Sequence, residues 1–159
     1  MLNMIYTYDY EKLQRRCRHS LCKTGKEFAD AANTLYKASQ DQHVHPSWPI
    51  HFVTCQALEL YLKAFLRANG ASLDELRDRR KLGHDLQRIL CEAKQKGLDK
   101  VVAITGDEEH IIKILNAHYK NRDFQYKNAG EFTLADVGGL IPLLGRIDSP
   151  LLAMCAGAN

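Results

Sequence analysis

Phe52-Val-Thr-Cys-Gln-Ala-Leu-Glu-Leu-Tyr-Leu-Lys-Ala-Phe-Leu66, continued by Arg67-Ala-Asn-Gly70, is the stretch on which the reading of this chain turns. The run is too long for an ordinary strand, and its few polar residues follow a helical period. Gln56, Glu59, Lys63 and Arg67 are spaced three, four and four apart, so they share one narrow stripe of a helix that is otherwise apolar. A helix from about Ile50 to Ala68 follows, closed by Asn69-Gly70 in a left-handed stop. Such a helix lies at the centre of its domain. Its polar stripe is either a strip of solvent contact or a site.

The neighbouring segments also carry helical periods. A first helix is expected over Tyr10 to Leu21. Thr24, with Glu27 three residues on, reads as the cap of a helix reaching about Gln40. The stretch His43-Val-His-Pro-Ser-Trp-Pro49 is read as non-helical because Pro46 and Pro49 interrupt it. After a charged connector, a helix is expected from about Asp85 to Lys96, stopped by Gly97. Another begins after Thr105-Gly106, where Asp107, Glu108 and Glu109 suit the positive end of its dipole. Lys100-Val-Val-Ala-Ile-Thr105 is strand-like but too short and isolated to found a sheet. A last helix is expected over Leu134 to about Ile147, disturbed by Gly138, Gly139 and Pro142, with residues 148–159 as a loose tail. The fold class is all-α, an antiparallel bundle of five or six helices in a single domain over residues 1–159.

Composition narrows the class further. At 45% hydrophobic residues and 159 residues in all, the chain can bury a core without disulfides or metals. Its five cysteines are odd in number and form no CxxC pair, which points to reduced thiols and a cytoplasmic setting. No apolar signal segment is read near the N-terminus, and no stretch of about 18 apolar residues is read as able to span a membrane. The formal charge is +3 but unevenly placed. Residues 11–26 hold six bases against Glu11; residues 77–96 hold seven against Asp78, Asp85 and Glu92. Lys113, Lys120, Arg122 and Lys127 stand against Asp123. If these clusters converge they attract phosphate; if they do not, they are solvated helix faces.

Several constellations could carry chemistry. His43, His45, His51 and Cys55 suggest a metal site, but the loop is proline-broken and lacks an acidic or second cysteine ligand at a fixed spacing. Exposed loop histidines are the better reading, and no metal or cofactor is expected. Cys17 and Cys22 have basic neighbours but no histidine–acid set to make either a nucleophile. Val137-Gly-Gly-Leu-Ile-Pro-Leu-Leu-Gly145 matches no nucleotide-loop pattern and reads as a close helix contact. Glu59 and Lys63, at i, i+4, are either a surface ion pair or the border of a groove. His118 and Arg122, one turn apart on a helix, are either exposed residues at its frayed end or a phosphate-binding and acid–base pair. His84 is read as structural, with Asp85 complementing the helix start.

Together, Ala57-Leu-Glu-Leu-Tyr-Leu-Lys-Ala-Phe-Leu66, the Asn-Gly stop and Gly83-His-Asp-Leu86 resemble the HEPN family (higher eukaryotes and prokaryotes nucleotide-binding). Leu115-Asn-Ala-His-Tyr-Lys-Asn-Arg-Asp-Phe-Gln-Tyr126 is similar to the family's later helix, and the likeness spans Thr24 to about Tyr126. The resemblance implies a helical bundle, commonly a homodimer, with a cleft that handles RNA or nucleotides. Many members are ribonucleases with an Arg followed four to six residues later by His on the late helix. Here no histidine follows Arg122. The expectation is therefore an RNA- or nucleotide-binding protein without the usual ribonuclease activity. Arg122, His118, Tyr126, Lys63, Arg67 and Glu59 are the candidate ligand residues, and whether the chain is an enzyme is left open. Two alternatives stand beside it: a ribonuclease toxin, with His118 and Arg122 as catalytic candidates and a nucleotidyltransferase antitoxin as partner, and a non-catalytic dimeric scaffold. Homodimerisation is also expected from the amount of apolar helix face.

Overall fold

The computed structural model describes residues 17–41, 47–126 and 134–157. Within them the protein is all-helical, with no strand. Six α-helices occur in the order α1 (Cys17–Asp41), α2 (Trp48–Ala68), α3 (Leu73–Arg77), α4 (Leu86–Gln95), α5 (Gly106–Tyr119) and α6 (Ile141–Gly157). Two short 3-10 turns, Leu98–Lys100 and Val137–Gly139, precede α5 and α6.

The apolar stretch does become the centre of the bundle. Helix α2 packs against α1, α4, α5 and α6, with α1 running along it most extensively. Leu58, Tyr61, Leu62, Phe65 and Leu66 are almost wholly buried in the resulting core. A helix buried over most of its surface gains its stability from packing, at roughly 1.5–3 kcal/mol for each large apolar side chain fully removed from water. Asn69 closes α2 and Gly70 turns left-handed, φ +93°, as its sequence predicts.

Several boundaries differ from expectation. Thr24 does not cap a helix: α1 runs unbroken from Cys17 to Asp41, so Thr24 and Glu27 lie inside it. The capping-box pattern is cheap to match by chance. Buried Cys22 and Ala32 on the same helix face carry the packing straight through it. Trp48 and Pro49 are helical, because a proline in the first turn gives up an N–H that the helix leaves unused there anyway. The connector contains α3, opened by a capping box between Ser72 and Glu75. Residues 10–16, His43, His45 and Lys127 lie outside the described residues.

The C-terminal reading changes most. Leu134–Asp136 precede the 3-10 turn rather than joining a helix, and α6 extends to Gly157. Residues 148–157 are therefore not a loose tail. Leu151 and Cys155 are buried, and Pro150 is accommodated within the helix. Close contact explains the glycine pair: a Cβ on Gly138 would lie 2.1 Å from Tyr36 Oη, and one on Gly139 2.5 Å from Ile111 Cδ1. Val137–Ala156, with a mean hydropathy of 1.3, is also long and apolar enough to cross a membrane, contrary to the sequence reading. Its charged residues are nevertheless engaged by other helices: Arg146 by Glu108 of α5, and Asp148 by Tyr61 of α2 and Lys26 of α1.

The surplus of apolar face that argues for a homodimer is largely absorbed inside this bundle. Ile112, Leu115, Leu143, Leu144 and Ile147 are buried within one chain. Among the described residues, the large hydrophobic side chains left exposed are Leu35 and Tyr126.

A basic pocket seated on a buried carboxylate

The polar stripe of α2 turns inward. Glu59 is 2% exposed and Lys63 8%, so neither forms a solvent strip. Lys63 Nζ donates to Glu59 Oε1 at 2.7 Å and to the Gly83 carbonyl at 2.6 Å. His84 Nδ1 lies 3.0 Å from Glu59 Oε2, and Tyr119 Oη donates to the same oxygen at 2.6 Å. Three donors from three parts of the chain thus converge on one carboxylate. Burial opposes its charged form, but the bonds from His84, Lys63 and Tyr119 prevail and hold its carboxyl below the usual glutamate range. The Tyr119 phenol is pushed up by burial and by the neighbouring Glu59 charge, so it stays a neutral donor.

Each residue of Gly83-His-Asp-Leu86 has a separate duty in this arrangement. Gly83 has φ +49°, and a Cβ there would stand 3.1 Å from the Arg79 backbone. A side chain would be strained and crowded, and the carbonyl would leave Lys63. His84 reaches Glu59. Because a carboxylate can only accept, Nδ1 must carry the proton, which leaves Nε2 as the outward ring nitrogen. Asp85 caps α4 by accepting from the Arg88 N–H, and accepts from Asn116 Nδ2 at 3.0 Å. Asn116 in turn accepts the Leu86 N–H at 2.8 Å, while Leu86 enters the core. His84 thus has a bonding partner inside the bundle. Its ring is also 44% exposed, and it lines a surface pocket.

That pocket has a volume of about 310 Å³ and is lined by Arg79, Arg88, Lys120 and Arg122 around His84. Asp85 is the one acidic residue lining it, already committed to capping α4 and to Arg88 at 3.5 Å. Among the described residues, no carboxylate pairs with Arg79, Lys120 or Arg122. The basic clusters of residues 77–96 and 113–127 therefore meet here. The described part of the first cluster faces elsewhere in one instance, where Lys26 pairs with Asp30 and Asp148 of α6.

Arg122 occupies the pocket with a left-handed backbone, φ +62°. A non-glycine residue in that conformation carries strain of roughly 1–2 kcal/mol and is held there by its surroundings. Phe124 is the local anchor: its ring packs against Trp48, His51 and His118 at centroid distances of 5.6, 5.7 and 6.0 Å. Helix α5 ends at Tyr119, so His118 and Arg122 are not one helical turn apart. His118 turns to Asp123, with Nδ1 3.2 Å from Oδ2, and it is His84 that shares the pocket with Arg122.

The other candidates fall outside the pocket. Arg67 donates to the Ala71 carbonyl, closing the end of α2. Tyr126 is 64% exposed and does not line this pocket. Both ring nitrogens of buried His51 face carbonyls, those of Ser47 and Ala135, and Cys55 is fully buried with its thiol pushed up by burial. Neither presents a ligand to a metal at the surface. His84 is the residue that sequence reasoning passed over as a site. The usable signal was Glu59: a carboxylate on so apolar a helix needs partners, and the Gly-His-Asp turn was the nearest source. Comparison with protein-family models, with curated proteins and with solved structures finds no match.

Proposed function

We propose that this chain is a HEPN-like helical protein that binds RNA or nucleotide through phosphate at the His84–Arg122 pocket. One observation carries the reading. Four cationic side chains from the connector, α4 and the turn after α5 converge on a single depression, and three of them have no carboxylate partner among the described residues. Like charges gathered without neutralisation raise the local potential and cost stability unless an anion is bound there. Solvated helix faces would spread them instead. Homodimerisation and a nucleotidyltransferase partner enter this proposal through the sequence resemblance, and the scaffold reading is its rival.

A second reading, ribonuclease, is favoured by His84 itself. Glu59 fixes its tautomer and orientation, and its outward nitrogen shares a pocket with a guanidinium, an arrangement suited to acid–base work beside a phosphate.

The test is binding of a labelled single-stranded oligoribonucleotide at two salt concentrations, with melting temperature as control. Arg122→Ala is expected to weaken binding by about 1.5–3 kcal/mol, the range for hydrogen bonds to charged groups. Arg122→Lys restores part of it, because the charge remains while the planar fork is lost. Affinity falls steeply with salt as counterions are released. Undetectable wild-type binding at low salt removes the proposal in favour of a scaffold. Probe cleavage that vanishes in His84→Ala establishes the nuclease.

A further inference from the structure

A second lobe opens beside the basic pocket, with a volume of about 260 Å³. It shares His84 and Arg122 with the first lobe, and its remaining lining is Gln56, Tyr119 and Gln125. The lobes differ in chemistry. The first is dominated by guanidinium and ammonium groups. The second offers two primary amides and a phenol beside the shared imidazole and guanidinium.

The amide of Gln56 is oriented from beneath. Tyr119 Oη stands 2.6 Å from Glu59 Oε2 and 2.8 Å from Gln56 Oε1. One hydroxyl proton serves one acceptor well, and the carboxylate is the stronger. Gln56 Oε1 takes the second acceptor place on that hydroxyl, which leaves its NH2, two donors, for the lobe. Gln125, on the exposed turn held by Phe124, brings a second amide with a donor and an acceptor in one plane. Coplanar donors and acceptors are what the edge of a nucleobase requires, and a guanidinium plane is a surface on which a base can stack. Small-ligand sites typically span about 300–1,000 Å³. One lobe suits a phosphate group, and the two lobes, side by side across His84 and Arg122, suit a larger ligand.

Resting on the phosphate reading above, we infer that the two lobes hold one nucleotide unit. Its phosphate lies in the Arg79–Lys120 lobe, its base lies in the Gln56–Gln125 lobe, and His84 and Arg122 stand between. A free nucleotide and one unit of a single-stranded RNA present the same chemistry.

Calorimetric titration with inorganic pyrophosphate, adenosine diphosphate, uridine diphosphate and a short single-stranded RNA tests this on wild type, Gln125→Ala and Lys120→Ala. Both substituted side chains are exposed, and melting temperature checks that each variant is folded. At least one nucleoside diphosphate should bind about tenfold or more tightly than pyrophosphate, a difference of about 1.4 kcal/mol. Gln125→Ala should abolish that preference and leave pyrophosphate binding unchanged, whereas Lys120→Ala should weaken every ligand. RNA binding with the same dependence on Gln125 supports the inference with RNA as the source of the nucleotide. Equal affinity for pyrophosphate and both nucleotides, or a preference untouched by Gln125→Ala, overturns the base lobe while the phosphate reading stands. Failure of every probe to bind overturns both.

Discussion

Glu59 and Glu108 are both glutamates near a helix–helix junction, 2% and 7% exposed, and both are held below the usual glutamate range. In each case burial opposes the charge and specific donors overcome it. For Glu108 the donors are the Thr105 N–H and Arg146, so its carboxylate completes the capping box of α5 and ties that helix to α6. For Glu59 they are Lys63, His84 and Tyr119, drawn from α2, the connector and α5. Both are joints of the bundle. The difference lies in where the partners end: Arg146 anchors α6 to α5, whereas His84 emerges in a pocket ringed by cations. A buried carboxylate marks a joint; it marks a candidate site when one of its partners faces an unneutralised surface.

The largest expected effect separates the two joints by stability. Glu59→Ala leaves the Lys63 ammonium buried with the Gly83 carbonyl alone, and breaking a buried pair in this way costs about 3–5 kcal/mol. At the Glu108 joint, Thr105→Ala removes one cap on a partly open helix end and should cost about 1 kcal/mol. Urea denaturation of both variants measures the gap, and equal losses would erase the distinction.

Acid sharpens it further. Because the folded pKa of Glu59 is depressed, its contribution is fully present above the ordinary value near 4.5 and is lost as pH falls through the lower folded value. Glu59→Gln should flatten the acid limb of the stability–pH curve in that window. A limb of unchanged slope would show that Glu59 is not the group being titrated.

These joints also show what could be read in advance. The apolar run of α2, its Asn-Gly stop and the spacing of Glu59 to Lys63 are local patterns, and local patterns survive folding. Thr24 misled because a capping box costs only two residue types, while continuity of the buried face on α1 decides the matter. The α6 tail misled because Pro150 and the surrounding small residues weaken helix propensity, which burial of Leu151 and Cys155 overrides. The site was legible in half. Arg122 was named from sequence, but pairing it with His118 assumed that α5 continues past Tyr119. Its pairing with His84 depends on a contact between segments nearly forty residues apart, which periodicity cannot reveal.

The smallest expected effect concerns Arg122 as a source of strain. Glycine accepts φ +62° freely, recovering part of the roughly 1–2 kcal/mol of left-handed cost while losing about 0.5–1 kcal/mol to chain entropy. Arg122→Gly should therefore change stability by less than about 1 kcal/mol while weakening oligoribonucleotide binding as Arg122→Ala does. A large fall in melting temperature would instead show that the side chain braces the fold, as Glu108 and Arg146 do.

The Leu86 N–H has a consequence for how the pocket moves. Amide hydrogens in the first turn of a helix ordinarily lack an intrahelical partner and exchange rapidly with solvent. Here Asn116, two elements away, takes this one in a buried bond. Its hydrogen can escape only when α4 and α5 part, which also releases Asp85 from Asn116 and unseats His84. The exchange rate of that one amide thus reports the opening of the assembled pocket, and the neighbouring turn at Arg122, outside any helix, can exchange faster without the pocket floor opening.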